Sequence, residues 1–273
     1  MNMRYSGSTA IPAHPQHASG LTCPDSRVVS VRSVAGWLAE GFRIARTNPV
    51  LWLAAILACA DFATLFDLVP PLRVLAVLVA PILAAALVLM QERSSNARPW
   101  TIRETLEAVN VHRNALIAIG VCGAAAACAG QLISFAVFHV SMKASVTPNG
   151  MHDLTIVYGA SNGAANALEP LLNFLGYALA VSLVWFAPTL VVLNNVSPLG
   201  AMAAGLRAVV RNWRIASLYG VVIAAVLAGT ALLANPVGML VRALVAMPLI
   251  SALIVLSRYG AYRGIFGGCS TRT

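Results

Sequence analysis

Six apolar runs, each about as long as a membrane-spanning helix, dominate this chain of 273 residues. A helix needs about 20 mostly apolar residues to cross the hydrocarbon core of a bilayer. Only 10% of the residues are charged, and the mean hydropathy is +0.80, so the chain cannot cover itself with polar surface. The sequence predicts an all-α polytopic membrane bundle with six transmembrane helices, at roughly 49–67, 72–91, 114–138, 170–193, 215–235 and 237–257.

The spacing of these runs groups them into three pairs. Asp67–Pro71 separates the first pair and Ala234–Pro236 the third, and both connections are short enough for tight hairpins. A longer loop, about 139–169, separates the middle pair, so we expect three helical hairpins. The predicted divisions are a disordered tail at 1–29, a transmembrane domain at 30–266 and a C-terminal tail at 267–273.

The basic residues are distributed unevenly about the apolar runs. Fifteen of the 18 fall in the N-terminal region, in the two linkers between hairpins, or at the C-terminal end, where we count Arg258, Arg263 and Arg272. The opposite side has Arg73 and Lys143. The positive-inside rule therefore predicts cytoplasmic N- and C-termini and an extracytoplasmic loop at 139–169.

A short amphipathic helix is predicted before each hairpin. The second begins with a capping box, Thr101 and Glu104, and the third with Ser197-Pro198. An apolar face opposite arginines is typical of a helix in the headgroup region. The predicted apolar faces are Val34, Leu38, Phe42 and Ala45, then Leu106 and Val109, then Met202, Leu206, Val209 and Trp213. The predicted interfacial anchors are Arg46, Arg113, Arg207, Arg211 and Trp213.

The second helix of every hairpin contains a proline that we expect to kink it: Pro81, Pro188 and Pro248. Together with the short helices, this indicates a threefold repeat of interfacial helix plus hairpin. The alternative is chance, since proline is common in membrane helices.

Two ionisable residues lie inside the apolar runs at similar predicted depth. Asp61 is in the first run and Arg242 in the sixth. One hypothesis is an ion pair that joins the first and last hairpins. The alternative is that Arg242 extends outward to the interface while Asp61 is protonated or faces a small aqueous pocket.

The stretch from Trp185 to Trp213 resembles an uncharacterised family of proteobacterial inner-membrane proteins. That family is marked by W-F-A-P-x-L-V, S-P-x-x-A-M and R-A-x-x-x-N-W, present here at Trp185–Val191, Ser197–Met202 and Arg207–Trp213. The resemblance covers about 31–266, although Gly200 and Gly264 stand where an acid is expected. It implies a multi-pass protein of the bacterial inner membrane and no particular activity.

Function is constrained mainly by what the sequence lacks. It has no nucleophile, phosphate-loop or zinc-protease motif and no C-x-x-C pair, so we expect no enzyme, no metal and no cofactor. Its charges lie between apolar runs, without a basic stripe, which argues against a nucleic-acid partner. The leading interpretation is a structural or regulatory membrane component whose partners are the lipid bilayer, another membrane protein or a second copy. A small-solute transporter or channel is the alternative, and an intramembrane enzyme comes third.

Overall fold

The computed structural model describes residues 26–68, 73–96, 101–138, 140–146, 152–158, 175–176, 178–231 and 236–267. The description does not include most of the predicted N-terminal tail or the residues after Gly267. Of the predicted loop at 139–169, it includes only 140–146 and 152–158. The last residues of the predicted tail, 26–29, are described and make hydrogen bonds with the rest of the chain.

Helices make up most of the described chain. The first five are α1 (Ser33–Ala45), α2 (Pro49–Leu68), α3 (Arg73–Ser95), α4 (Ile102–Val111) and α5 (Arg113–Phe138). An apolar helical run then begins at Ala178, breaks at Phe186 and continues as α6 (Ala187–Asn194). The last elements are α7 (Pro198–Arg211), α8 (Trp213–Ala231), α9 (Pro236–Val241), a π-helical turn (Arg242–Ala246) and α10 (Met247–Phe266).

Three stretches are long and apolar enough to cross a membrane: Leu75–Ser95, Arg113–Gly130 and Arg242–Phe266. Two bent helix pairs pass the same test jointly, so the count rises to five if each pair is one span. The bend is 120° between α1 and α2, and 84° between α7 and α8. The predicted helical class is thus confirmed with three to five candidate spans, while the arrangement of six spans in three hairpins stays a prediction.

The short helices begin where the sequence predicts. The Thr101 hydroxyl accepts a hydrogen bond from the Glu104 backbone N–H, and the Glu104 carboxylate accepts one from the Thr101 N–H. Ser197 caps α7 by accepting from the Gly200 N–H, with Pro198 in the first turn. Caps are local interactions between residues three apart, which is why the sequence alone could locate them.

The predicted apolar faces of these helices are only partly correct. Phe42, Leu106 and Trp213 are exposed, with more than half of each accessible. The residues that are buried instead are mainly small or polar: Gly41 in α1, Thr105 in α4, and Ala201, Ala204, Gly205 and Ala208 in α7. Small residues let helix backbones approach closely. They form many of the helix contacts, beside the buried large residues Trp37, Ile44, Val109 and Met202.

The contact between α1 and α10 is the most extensive between helices and shows this close packing. A Cβ at Gly41 would overlap the backbone oxygen of Leu256, and one at Gly260 would lie 2.9 Å from the Cα of Trp37. Trp37 is 6% exposed. At the edge of the contact, the Arg263 guanidinium pairs with the Glu40 carboxylate at 2.8 Å. The first short helix, α1, is therefore packed against the last long helix, α10. The sequence predicted only that α1 lies at the membrane interface.

Two strands are the exception to the helical architecture. β1 (Val140–Val146) and β2 (His152–Tyr158) pair antiparallel, with Val140 opposite Tyr158 and Val146 opposite His152. They lie within the loop predicted at 139–169, where the sequence analysis anticipated no secondary structure.

Substitution of Gly41 tests the α1–α10 contact. We expect Gly41→Ala to lower the Tm of the protein in detergent, because overpacking costs about 1–3 kcal/mol where the opposing group is backbone that cannot rotate away. Gly36→Ala is the matched control on the same helix, since a Cβ there meets nothing within 4 Å and alanine favours helix. Equal Tm values for the two variants would contradict the contact.

Candidate functional site

A cavity of about 430 Å³ lies where the long helices converge. This volume is within the range of about 300–1,000 Å³ that is typical of small-molecule sites. Both members of each predicted hairpin contribute to its wall. The lining residues are Phe62 and Ala63 (α2), Ala76, Val77 and Ala80 (α3), Ala127 (α5), Ala180, Val181, Val184 and Trp185 (the run before α6), Leu227 (α8), and Arg242, Met247 and Arg258.

The wall of this cavity is apolar except for a few groups. Two guanidinium groups, from Arg242 and Arg258, and the Trp185 side chain supply its polar character, and no carboxylate is among the described lining residues. Val181 is 42% exposed and lies on the rim. The site therefore combines apolar contact area with positive charge, which suits a ligand that has an apolar body and an acidic group.

Arg258 reaches from α10 to the broken helix before α6. Its Nη2 donates a hydrogen bond to the carbonyl of Trp185 at 2.6 Å, and its guanidinium carbon lies 5.5 Å from the centroid of the Trp185 ring. The carbonyls at the end of a helix have no partner within that helix. Arg258 satisfies one of them, and the indole adds a cation–π contact.

The break that exposes this carbonyl follows from the sequence. Pro188 lies in the first turn of α6 and has no N–H, so it cannot bond to the carbonyl of Val184. The helix accordingly ends at Trp185, and a new one begins after Phe186. The break at Phe186 lies two residues before Pro188, one of the three positions predicted to kink a span, and the role of these prolines as kinks stays a prediction.

The charge of Arg258 is only partly compensated. Its Nε is buried and has no hydrogen-bond partner in the described part of the chain. The ion pairs among described residues are Arg93–Glu104, Arg103–Glu107 and Glu40–Arg263, none of which involves Arg258. Withdrawing an ion from water costs several kcal/mol after relaxation, so a cation held this way favours an anion beside it.

Arg242 lines the same cavity at a different level. It begins the π-helical turn before Pro248, and it lies 16 residues before Arg258, about 24 Å along a helix at 1.5 Å per residue. π-Helical turns are rare and frequently occur at functional sites.

Pro81 is the remaining predicted kink position. It lies within the continuous helix α3 and follows the lining residue Ala80.

Asp61 lies on the outward-facing side of α2. It is exposed and falls in register with the exposed residues Val50, Leu53, Leu57 and Leu65. The helix that carries it contacts the π-helical turn that carries Arg242, and its next two residues line the cavity. The Asp61–Arg242 ion pair stays a prediction.

The predicted interfacial anchors lie within the short helices or at the junctions that follow them. Arg46, Arg113, Arg207 and Trp213 are exposed, with Arg46 over the ring of Phe42 and Arg214 over that of Trp213. Arg211 has a further role within the chain, because its Nη1 donates to the carbonyl of Ser26 at 2.7 Å. Their placement at a membrane interface stays a prediction.

Asn212, beside Arg211, holds the segment that precedes α1. Its Oδ1 accepts from the Val29 N–H at 2.9 Å, and its Nδ2 donates to the carbonyls of Arg27 at 3.0 Å and Ala208 at 2.9 Å. The Arg27 N–H donates in turn to the carbonyl of Ile265 at 2.9 Å. The segment at 26–30 is therefore fixed between the C-terminal ends of α7 and α10.

No known protein family, curated protein or solved structure matches this chain. The resemblance to proteobacterial inner-membrane proteins thus stays a prediction. Within the described residues, no group of three or more His, Cys, Asp or Glu side chains is placed to hold a metal ion.

Sequence reasoning missed the role of Arg258. It assigned this residue to the cytoplasmic C-terminal end, whereas the candidate span continues to Phe266, eight residues further. The predicted run was ended just before Arg258, although it already contained Arg242. The following Tyr259, Gly260, Ala261 and Tyr262 continue the run, and this was the available signal.

Replacement of Asn212 tests the clamp on the N-terminal segment. Asn212→Ala removes the bonds to Val29 and Arg27, each worth about 0.5–1.5 kcal/mol net. We expect amide hydrogen exchange at 26–30 to accelerate by an amount equivalent to about 1–3 kcal/mol of opening free energy. Asn114→Ala is the control, because Asn114 occupies the matching Arg-Asn pair and is exposed. Unchanged exchange in Asn212→Ala would refute the clamp.

Proposed function

We propose that this protein is a non-enzymatic structural or regulatory component of the bacterial inner membrane that binds a lipid or another membrane amphiphile between its helices. The observation that carries the proposal is the cavity at which α2, α3, α5, the run before α6, α8 and α10 meet. Its wall is mostly apolar, as a hydrocarbon chain requires. A second membrane protein or a second copy of the chain remains a further partner in this proposal.

The membrane placement that accompanies this function has six spans in three hairpins, with both termini in the cytoplasm. Two observations support this placement. The short helices α1, α4 and α7 each precede a long apolar helix, and exposed arginines lie at the junctions between them. The lining residues of α2 and α8 fall late in their helices, and those of α3 and the run before α6 fall early. Most of the cavity wall then lies toward the extracytoplasmic half, while Trp185 and Arg258 line the end that is nearer the short helices.

Blocking the cavity tests this function. Ala127 lines it and Ala125, two residues earlier on α5, is exposed away from it. We expect native mass spectrometry of the purified protein to detect a retained lipid with the natural chain and with Ala125→Phe. Ala127→Phe should reduce that retention about tenfold or more, because its ring fills the space for a chain. Equal retention by all three proteins would contradict the proposal.

A small-solute transporter or channel is the alternative function. It is favoured by the helix break at Phe186 and the π-helical turn at Arg242–Ala246, which both border the cavity and could serve as hinges. The apolar wall argues against it, since polar solutes need converging polar groups. Solute flux into proteoliposomes that is lost in Ala127→Phe and retained in Ala125→Phe would favour transport.

A further inference from the structure

Arg258 has hydrogen-bonding capacity that the described chain does not use. A guanidinium has five N–H donors in a planar fork. One bond, from Nη2 to the carbonyl of Trp185, is made, whereas Nε is buried without a partner. A fork of this kind matches the two oxygens of a carboxylate or phosphate, which it binds through paired, charge-assisted hydrogen bonds.

The surroundings of Arg258 favour an external anion over an internal one. No carboxylate is among the described residues that line the cavity, and the ion pairs among described residues leave Arg258 out. Alanine, valine and leucine side chains form most of the wall around the site. An inorganic anion would leave this apolar surface uncovered, whereas an amphiphile would occupy both parts of the cavity.

We propose that Arg258 binds the anionic head group, a carboxylate or phosphate monoester, of a single-chain amphiphile whose apolar body fills the cavity. This inference rests on the proposed function and adds the chemical class of the ligand. A volume of about 430 Å³ is near the lower end for small-molecule sites, which favours one chain over a whole two-chain lipid. Arg242, in the same wall at another level, contributes positive potential along the cavity.

The competing explanation is that Arg258 only caps the helix that ends at Trp185. In that case the guanidinium stabilises the fold, and binding in the cavity is indifferent to the charge of a head group. The two explanations therefore differ in ligand selectivity and not in the stability of the variants.

The test compares four probes that share one chain length: dodecanoate, dodecyl phosphate, dodecanol and dodecyltrimethylammonium. Their binding to the full chain in maltoside detergent is titrated by native mass spectrometry. Inorganic phosphate and butyrate serve as competitors that lack the long chain. The proteins are the natural chain, Arg258→Gln, Arg258→Lys and the control Arg207→Gln, which changes an exposed arginine on α7.

We expect both anionic probes to bind the natural chain and Arg207→Gln at least about tenfold more tightly than dodecanol, and the cationic probe to bind most weakly. Arg258→Gln should lower anion affinity to that of dodecanol. Arg258→Lys should be intermediate, because it keeps the charge and loses the fork. If Arg258→Gln does not fold, Arg258→Lys and the probe series on the natural chain still decide the question.

Three outcomes would overturn the inference. In the first, dodecanol binds as tightly as dodecanoate and Arg258→Lys changes neither affinity. The cavity would then bind amphiphiles without selecting the head group, which supports the proposed function and contradicts the inference. Competition by millimolar inorganic phosphate or butyrate as strong as that by dodecanoate would assign the site to free anions instead. Failure of all four probes to bind would contradict both the inference and the proposed function.

Discussion

The hydrogen bond from Arg258 to the carbonyl of Trp185 resolves a constraint that any helix break away from water must meet. Backbone groups away from water need partners, because an unpaired one costs several kcal/mol in hydrocarbon. Pro188 interrupts the helix, and the carbonyl of Trp185 is left at its end. Arg258 supplies the missing donor from another helix, 73 residues along the chain. The bond ties α10 to the middle of the bundle and places a guanidinium in the cavity wall.

Close packing through small residues is the second organising feature. Gly41 and Gly260 allow α1 and α10 to touch along their backbones, and Gly130 similarly approaches the backbone of Gly176. Large apolar side chains such as Leu53 and Val221 are left exposed on the outside. In water this distribution would be costly, whereas in lipid the exposed chains lose nothing and the small residues gain van der Waals contact. The packing thus agrees with the apolar composition in indicating lipid as the solvent.

Local features of this fold were predictable from sequence, and long-range ones were not. The apolar runs located the helices because chain length and hydropathy are local properties, and the caps at Thr101 and Ser197 depend on residues three apart. The buried faces of the short helices were only partly predicted: Val109 and Met202 are buried, whereas Phe42 and Leu106 are exposed. The rule that large apolar residues are buried fails where lipid replaces water. Arg258 was misplaced because the predicted run ended before it, and its bond to Trp185 was not predictable because that partner lies on a distant helix.

The junction between α7 and α8 also holds the segment at 26–30, which precedes α1. Asn212 ends α7, and its side chain forms hydrogen bonds with Arg27 and Val29. An asparagine side chain can do both because it offers a donor and an acceptor.

Solid-state NMR of the protein in lipid bilayers tests the central claim, that Arg258 is held inside the bundle at the helix break. With arginine labelled by ¹⁵N and tryptophan by carbonyl ¹³C, the bond of 2.6 Å predicts dipolar coupling between a guanidinium nitrogen and a tryptophan carbonyl carbon. That coupling should disappear in Arg258→Lys. Its absence from the natural chain, or its persistence in Arg258→Lys, would contradict the account.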